Sequence, residues 1–174
     1  LAAVANTGSI ANTETLIGGS AADTITLGTT VSNASIDLGA GTDALTLAAG
    51  TNTVSVSNVE TVTGTTGPNS VWLSSAASNI SLDLGSGSDK LTMGNFANTM
   101  TVANIETITG GTSTDTLTLG SALSASIALN LGAGNDRLTL MDGTNTGTIT
   151  GVETTLGGTG DDTITLGGGV TNAS

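Results

Sequence analysis

Asp37-Leu38-Gly39-Ala40-Gly41-Thr42-Asp43-Ala44-Leu45-Thr46-Leu47 places a glycine-rich turn, closed by an acid, directly before a short strand of alternating apolar and polar residues. The arrangement returns as Asp83-Leu84-Gly85-Ser86-Gly87-Ser88-Asp89-Lys90-Leu91-Thr92-Met93. It returns again as Asn130-Leu131-Gly132-Ala133-Gly134-Asn135-Asp136-Arg137-Leu138-Thr139-Leu140, the copies lying 46 and 47 residues apart. Glu14, Glu60, Glu106 and Glu153, each followed by Thr, keep the same register with spacings of 46, 46 and 47. Self-similarity at a fixed period marks a repeat architecture, and here it covers the whole chain.

Each unit has a second, related half: GGSAADTITL from Gly18, GGTSTDTLTL from Gly110 and GGTGDDTITL from Gly157, with a degenerate copy, GTTGPNSVWL, from Gly64. The turn residues Asp23, Asp43, Asn69, Asp89, Asp115, Asp136 and Asp162 then alternate in spacing near 20 and 26. This predicts two coils of about 23 residues per 46-residue unit. The chain reads as one array: a partial repeat over 1–34 and repeats over 35–80, 81–127 and 128–174, excerpted from a longer chain. Side chains alternate along a strand, so Leu45 and Leu47 point inward and Thr46 outward. One coil cannot bury its apolar face, whereas stacked coils can, their strands pairing in parallel about 4.8 Å apart. The expected fold is all-β, a right-handed parallel β-solenoid of about seven coils, the hand following that of parallel crossovers. Thr, Val, Ile and Gly dominate and no 3.6-residue apolar stripe occurs, so no helix is expected.

Composition narrows the function classes. The 174 residues include 26 Gly but one Phe, one Trp and no Tyr, His or Cys. Disulfides, thiol chemistry and ordinary zinc sites are thereby excluded. Fourteen acids face two bases, Lys90 and Arg137, for a net charge of −12, which argues against a nucleic-acid partner. No apolar run approaches the roughly 18–20 residues that span a bilayer, so membrane insertion is not expected. The carboxylates repeat evenly and do not form one unlike pair in a cleft, so no catalytic residue is assigned and an enzyme is not expected.

Gly157-Gly158-Thr159-Gly160-Asp161-Asp162-Thr163-Ile164-Thr165 fits G-G-x-G-x-D-x-U-x at every position, U being apolar. In this the chain resembles the RTX-type (hemolysin-type) calcium-binding β-roll repeats of secreted bacterial proteins. The resemblance implies Ca2+ held between stacked turns and a place outside the cell, at a bacterial surface. Carried onto this sequence, it assigns metal binding to Asp23, Asp43, Asp89, Asp115, Asp136, Asp161 and Asp162. The turn glycines Gly39, Gly41, Gly85, Gly87, Gly132, Gly134, Gly158 and Gly160 would aim carbonyl oxygens inward. Asp37 and Asp83, which precede two of the turns, are candidate further ligands, and Asn69, after Pro68, marks an expected weak site. Rolls of that family turn every nine residues on two opposite edges. Spacings of 20 and 26 predict instead a wider roll with ion sites on one edge. The competing reading of every such Asp is that it merely caps the turn backbone.

Other features have plain readings beside them. The recurring Glu residues, which could be ligands or a stacked carboxylate row, read better as a solvated face. Thr24/Thr26, Thr116/Thr118 and Thr163/Thr165 resemble the Thr-x-Thr arrays of ice-binding solenoids, although exposed strands favour Thr in any case. Trp72, standing where other coils place an outward Thr, covers a core edge or marks a contact with another chain. These features point to a calcium-stiffened segment of a surface layer, adhesin or filament. The partners would be copies of itself stacked end to end, and cell-surface polysaccharide. A secretion and folding module of a larger toxin or enzyme is a second class. An ice- or glycan-binding solenoid is the third.

Overall fold

In the computed structural model, which describes residues 1–168 and the backbone of residues 172–173, every strand pairs in parallel and no helix forms among the described residues. Residues 169–171 and 174, in the last repeat, lie outside the described residues. The partial repeat supplies β1 (Thr7–Ile10), β2 (Thr15–Gly19) and β3 (Thr24–Leu27). The next unit supplies β4 (Ala34–Gly39), β5 (Ala44–Thr46), β6 (Asn52–Ser57), β7 (Thr61–Thr63) and β8 (Asn69–Leu73). After it come β9 (Ser78–Asp83), β10 (Lys90–Thr92), β11 (Thr99–Ala103), β12 (Thr107–Gly111) and β13 (Thr116–Leu119). The last unit holds β14 (Ala128–Gly132), β15 (Arg137–Thr139), β16 (Thr146–Thr150), β17 (Thr154–Leu156) and β18 (Thr163–Leu166), followed by β19 (Asn172–Ala173).

Odd-numbered strands form one sheet of ten and even-numbered strands a facing sheet of nine, each in chain order. A coil is therefore one strand from each sheet. Its length follows from the pairing: Thr24 opposes Ala44, Ala44 opposes Thr61, Thr99 opposes Thr116 and Thr116 opposes Arg137. Coils are thus 17 to 21 residues long, not 23. The reason is that the 46-residue unit contains five strands, about nine residues each, and so spans two and a half coils. An odd number of strands places successive copies of one sequence on opposite sheets. Asp37 lies in β4, Asp83 in β9 and Asn130 in β14. The longer coils carry the loops 28–33, 74–77 and 120–127, once per unit.

The core is a thin double column between the sheets. Ile25, Leu45, Val62, Leu82, Val102 and Leu119 stack in the odd sheet. Val54, Val71, Leu91, Ile108, Leu129 and Ile149 stack in the even sheet. All twelve are buried, and Leu45 and Leu47 point inward with Thr46 between them, as the alternation requires. The described residues contain no helix long and apolar enough to cross a membrane.

The outward Thr rows do not form one face. Thr24/Thr26, Thr61/Thr63 and Thr116/Thr118 lie on the odd sheet, interrupted by Asp83 and Arg137, while Thr163/Thr165 lie on the even sheet. Lys90 and Trp72 also belong to the even sheet. Asp83 and Arg137 fall in two different outward rows of the odd sheet, and the row between them, Thr7–Thr24–Ala44–Thr61–Ser81–Thr101–Thr118–Thr139, carries no charge.

Candidate metal centre

At or just before most strand starts a polar residue faces along the rod towards its counterpart in the neighbouring coil. Such an N–H group has no ladder partner of its own and must find one. Ahead of the odd strands the column reads Asn6, Asp23, Asp43, Glu60. The Asp23 Oδ1 accepts from the Asn6 N–H at 2.8 Å and from Asn6 Nδ2 at 2.7 Å. The Asp43 Oδ1 accepts from the Asp23 N–H at 2.6 Å, and the Glu60 Oε2 from the Asp43 N–H at 2.6 Å. The same order returns on this edge as Asn98, Asp115, Asp136, Glu153, with the corresponding bonds at 2.6 to 3.0 Å. The opposite edge carries Asn52, Asn69, Asp89, Glu106, then Asn145 and Asp162. The columns thus lie on both edges, a correction to the single edge expected from spacing.

Two sets of residues take roles outside the expected metal-binding set. Asn52, Asn98 and Asn145 open their columns by accepting from the N–H of Val31, Ala77 and Leu123, in the longer loops that lack an acid. Their signal was available, since Asn6, Asn52, Asn98 and Asn145 keep the 46-residue register and each precedes Thr. Glu60, Glu106 and Glu153 close the columns, half-buried, which overturns the reading of a solvated face. Glu14 alone is exposed. Asp37 and Asp83 do not join the columns: each caps its own turn at Gly39 or Gly85 and accepts from Asn58 or Asn104 Nδ2 at 2.7 Å. Asp161 and Asp162 are exposed, although Asp162 Oδ1 still accepts from Asn145.

The acids in these columns are half satisfied. Asp23, Asp43, Asp89, Asp115 and Asp136 are at most 1% exposed, and the Oδ2 of each is buried without a hydrogen-bond partner. Asn69 occupies the same register position as Asp23 and Asp115 and provides the contrast. Its Oδ1 accepts from Asn52, and its Nδ2 donates to the carbonyls of Gly67 and Leu84 at 3.0 and 3.3 Å. An Asp there presents an acceptor where Asn69 presents a donor. By the repeat, the Asp115 Oδ2 stands towards the carbonyls equivalent to these two, those of Ser113 and Leu131. Clustered oxygens with no donor suit a hard cation or a proton.

Glycine keeps the turns this tight. Gly39, Gly85 and Gly132 have φ of 87°, 80° and 92°, and a Cβ on each would collide with the carbonyl of Gly19, Thr65 or Gly111. A Cβ on Gly41, Gly87 or Gly134 would stand 2.9, 3.1 or 2.8 Å from the Oδ1 of Asp43, Asp89 or Asp136. One on Gly158 or Gly160 would press on the carbonyls of Met141 and Gly143. The expected turn glycines are therefore where backbone of one coil passes closest to the next, and Gly41, Gly87 and Gly134 also border the acids. Among the described residues no three acidic side chains gather to hold an ion by themselves, so an ion in a column would need further oxygens, from turn carbonyls or water.

Burial pushes the carboxyls of Asp43, Asp89, Asp115 and Asp136 above their ordinary value. Neighbouring charge, from Glu60 and Asp23 at Asp43 and from Asp115 and Glu153 at Asp136, pushes the same way. The Asn6 amide holds Asp23 below it. An acid whose pKa rises on folding favours the folded state below its unfolded pKa, and this advantage is lost as pH climbs through the raised value. Metal-free protein should consequently melt higher near pH 4–5, roughly the ordinary carboxylate range, than at pH 7.5. Asp23 opposes the other four. Thermal melts followed by circular dichroism in chelator across this range check the direction, and a melting point that falls steadily on acidification would contradict it.

No family model matches the chain, and no curated protein or solved structure matches it.

Proposed function

We propose that this chain is a calcium-stabilised structural segment of an extracellular bacterial surface protein, a stiff spacer in a surface layer, adhesin or filament, and carries no catalytic activity. The supporting observation is the set of five buried Asp side chains whose second oxygen has no partner, beside an Asn in the same register that is fully satisfied. A buried charge without a partner is costly, and a shared cation removes that cost in both coils at once. Calcium suits the site because it takes six to eight oxygens and accepts carbonyls freely. The half-coil of about nine residues strengthens the RTX likeness, since that family's nonapeptide also makes one strand and one turn. Extracellular modules bind calcium at about 10⁻⁴–10⁻³ M, so free calcium outside the cell would fill such sites. The outward rows are mostly small Ser, Thr and Ala side chains, as suits a spacer.

Chelation is the direct test. At pH 7.5, adding 5 mM calcium, roughly ten times the middle of the module range, should raise the melting point, and an excess of chelator should reverse the change. Magnesium, which insists on octahedral geometry and retains water, should substitute poorly. Identical melts with calcium and with chelator would leave the columns as hydrogen-bonded caps and remove the calcium reading.

A further inference from the structure

We propose that the even sheet carries a binding site for a carboxylate-bearing polysaccharide, centred on Trp72 and Lys90. Trp72, next to the end of β8, is 58% exposed, and a trough of about 290 Å³ lies beside it on the outer surface of the even sheet. The trough exists because the outward residues Thr53, Ser55 and Ser70 are short while Trp72 and Lys90 rise on one side of them and Asn33 on the other. Trp72 opposes Ser55 and Thr92, and Lys90 opposes Ser70, which makes Trp72 and Lys90 diagonal neighbours on adjacent strands.

Each part of this patch matches a property of a sugar chain. An exposed indole is a flat apolar platform for the C–H face of a pyranose, with its N–H still able to donate. Ser and Thr hydroxyls both donate and accept, as sugar hydroxyls require. The trough crosses β4, β6, β8 and β10, about 14 Å at the strand spacing of about 4.8 Å, and its hydroxyls repeat along the rod at that spacing. This repeat is comparable to the rise per residue of an extended pyranose chain.

Charge selects the class of sugar. The chain carries −12 overall, yet the two outward rows Thr53–Ser70–Lys90–Thr107 and Ser55–Trp72–Thr92–Thr109 contain no acid. Lys90 is one of only two cationic side chains, and Asp89 before it is buried in the edge column. A neutral glycan would leave this ammonium unused, whereas a uronate would pair with it. The site is independent of calcium, because none of its residues belongs to the edge columns.

Trp72 is the only Trp and the chain has no Tyr, so intrinsic fluorescence reports on this patch alone. Trigalacturonate, too short to gel with calcium, should change Trp72 emission saturably, with maltotriose at least ten-fold weaker. Calorimetry should show Trp72→Ala losing at least ten-fold in affinity and Lys90→Gln about five-fold, with unchanged circular dichroism, both side chains lying outside the core. No saturable response to trigalacturonate up to 20 mM would overturn the proposal. Equal binding of maltotriose, or no effect of Lys90→Gln, would overturn the assignment of an acidic sugar.

Discussion

Asp115→Asn should raise the stability of the metal-free protein by about 2 kcal/mol, the usual scale for an unsatisfied buried polar atom, and weaken its response to calcium. The substitution changes one atom, Oδ2 to Nδ2, in a side chain at most 1% exposed. Oδ1 remains to accept from Asn98, and the new amide faces carbonyls that Asn69 already bonds at the equivalent place in the neighbouring unit. Asn69→Asp is the reverse experiment. It should destabilise the chelated protein by a similar amount and add a calcium-dependent increment, since a site filled at 100 times its Kd contributes about 2.7 kcal/mol. At roughly 2–4 °C per kcal/mol for a chain of this size, both changes are resolvable in thermal melts. Calcium increments that stay the same in both variants would show that ions, where bound, do not use this oxygen. Asp115→Asn destabilising the chelated protein would show that Asn69 is not the right guide to its neighbours.

Much of the architecture was legible because strand alternation and the 46-residue register are local signals. Leu45-Thr46-Leu47 states which faces are in and out, and the glycines of Gly39 and Gly85 state where the backbone turns. The coil length was not legible in the same way. A repeat unit suggests a whole number of coils, and nothing in the local sequence of Asp37 and Asp83 says that they lie on opposite sheets. Counting turn acids alone also hid the short turns closed by Glu60 and Glu106, which are chemically unlike Asp yet place an oxygen in the same column. Taken together, Asn52, Asn69, Asp89 and Glu106 follow at 17, 20 and 17 residues, which is the coil itself. What links these residues is a shared task, accepting a backbone N–H across the coil interface, and residue type conveys it only when all four are read together.

Gly110→Ala should be the most damaging single substitution tested on this rod, costing more than about 3 kcal/mol, beyond the usual range for a point change. An added Cβ at Gly110 would run into the backbone of Leu131 in the next coil, as it would from Gly18 into Leu38 and from Gly64 into Leu84. Backbone cannot rotate away as the end of a side chain can. Relief requires β12 and β14 to part, and their separation breaks the ladder that pairs Thr107 with Ala128 and Ile108 with Leu129. It also opens the core between Ile108 and Leu129, so that packing is lost along with hydrogen bonds. In a stacked array each coil is held mainly by its neighbours, so weakening one interface uncouples the two sides. The melt should therefore split, or broaden, as well as shift. Gly8→Ala is the control: a Cβ there meets nothing within 4 Å, and its cost should stay within about 0.5 kcal/mol. Equal effects at the two glycines would mean that the parallel coils do not stack as closely at Gly110 and Leu131 as the two-and-a-half-coil register demands.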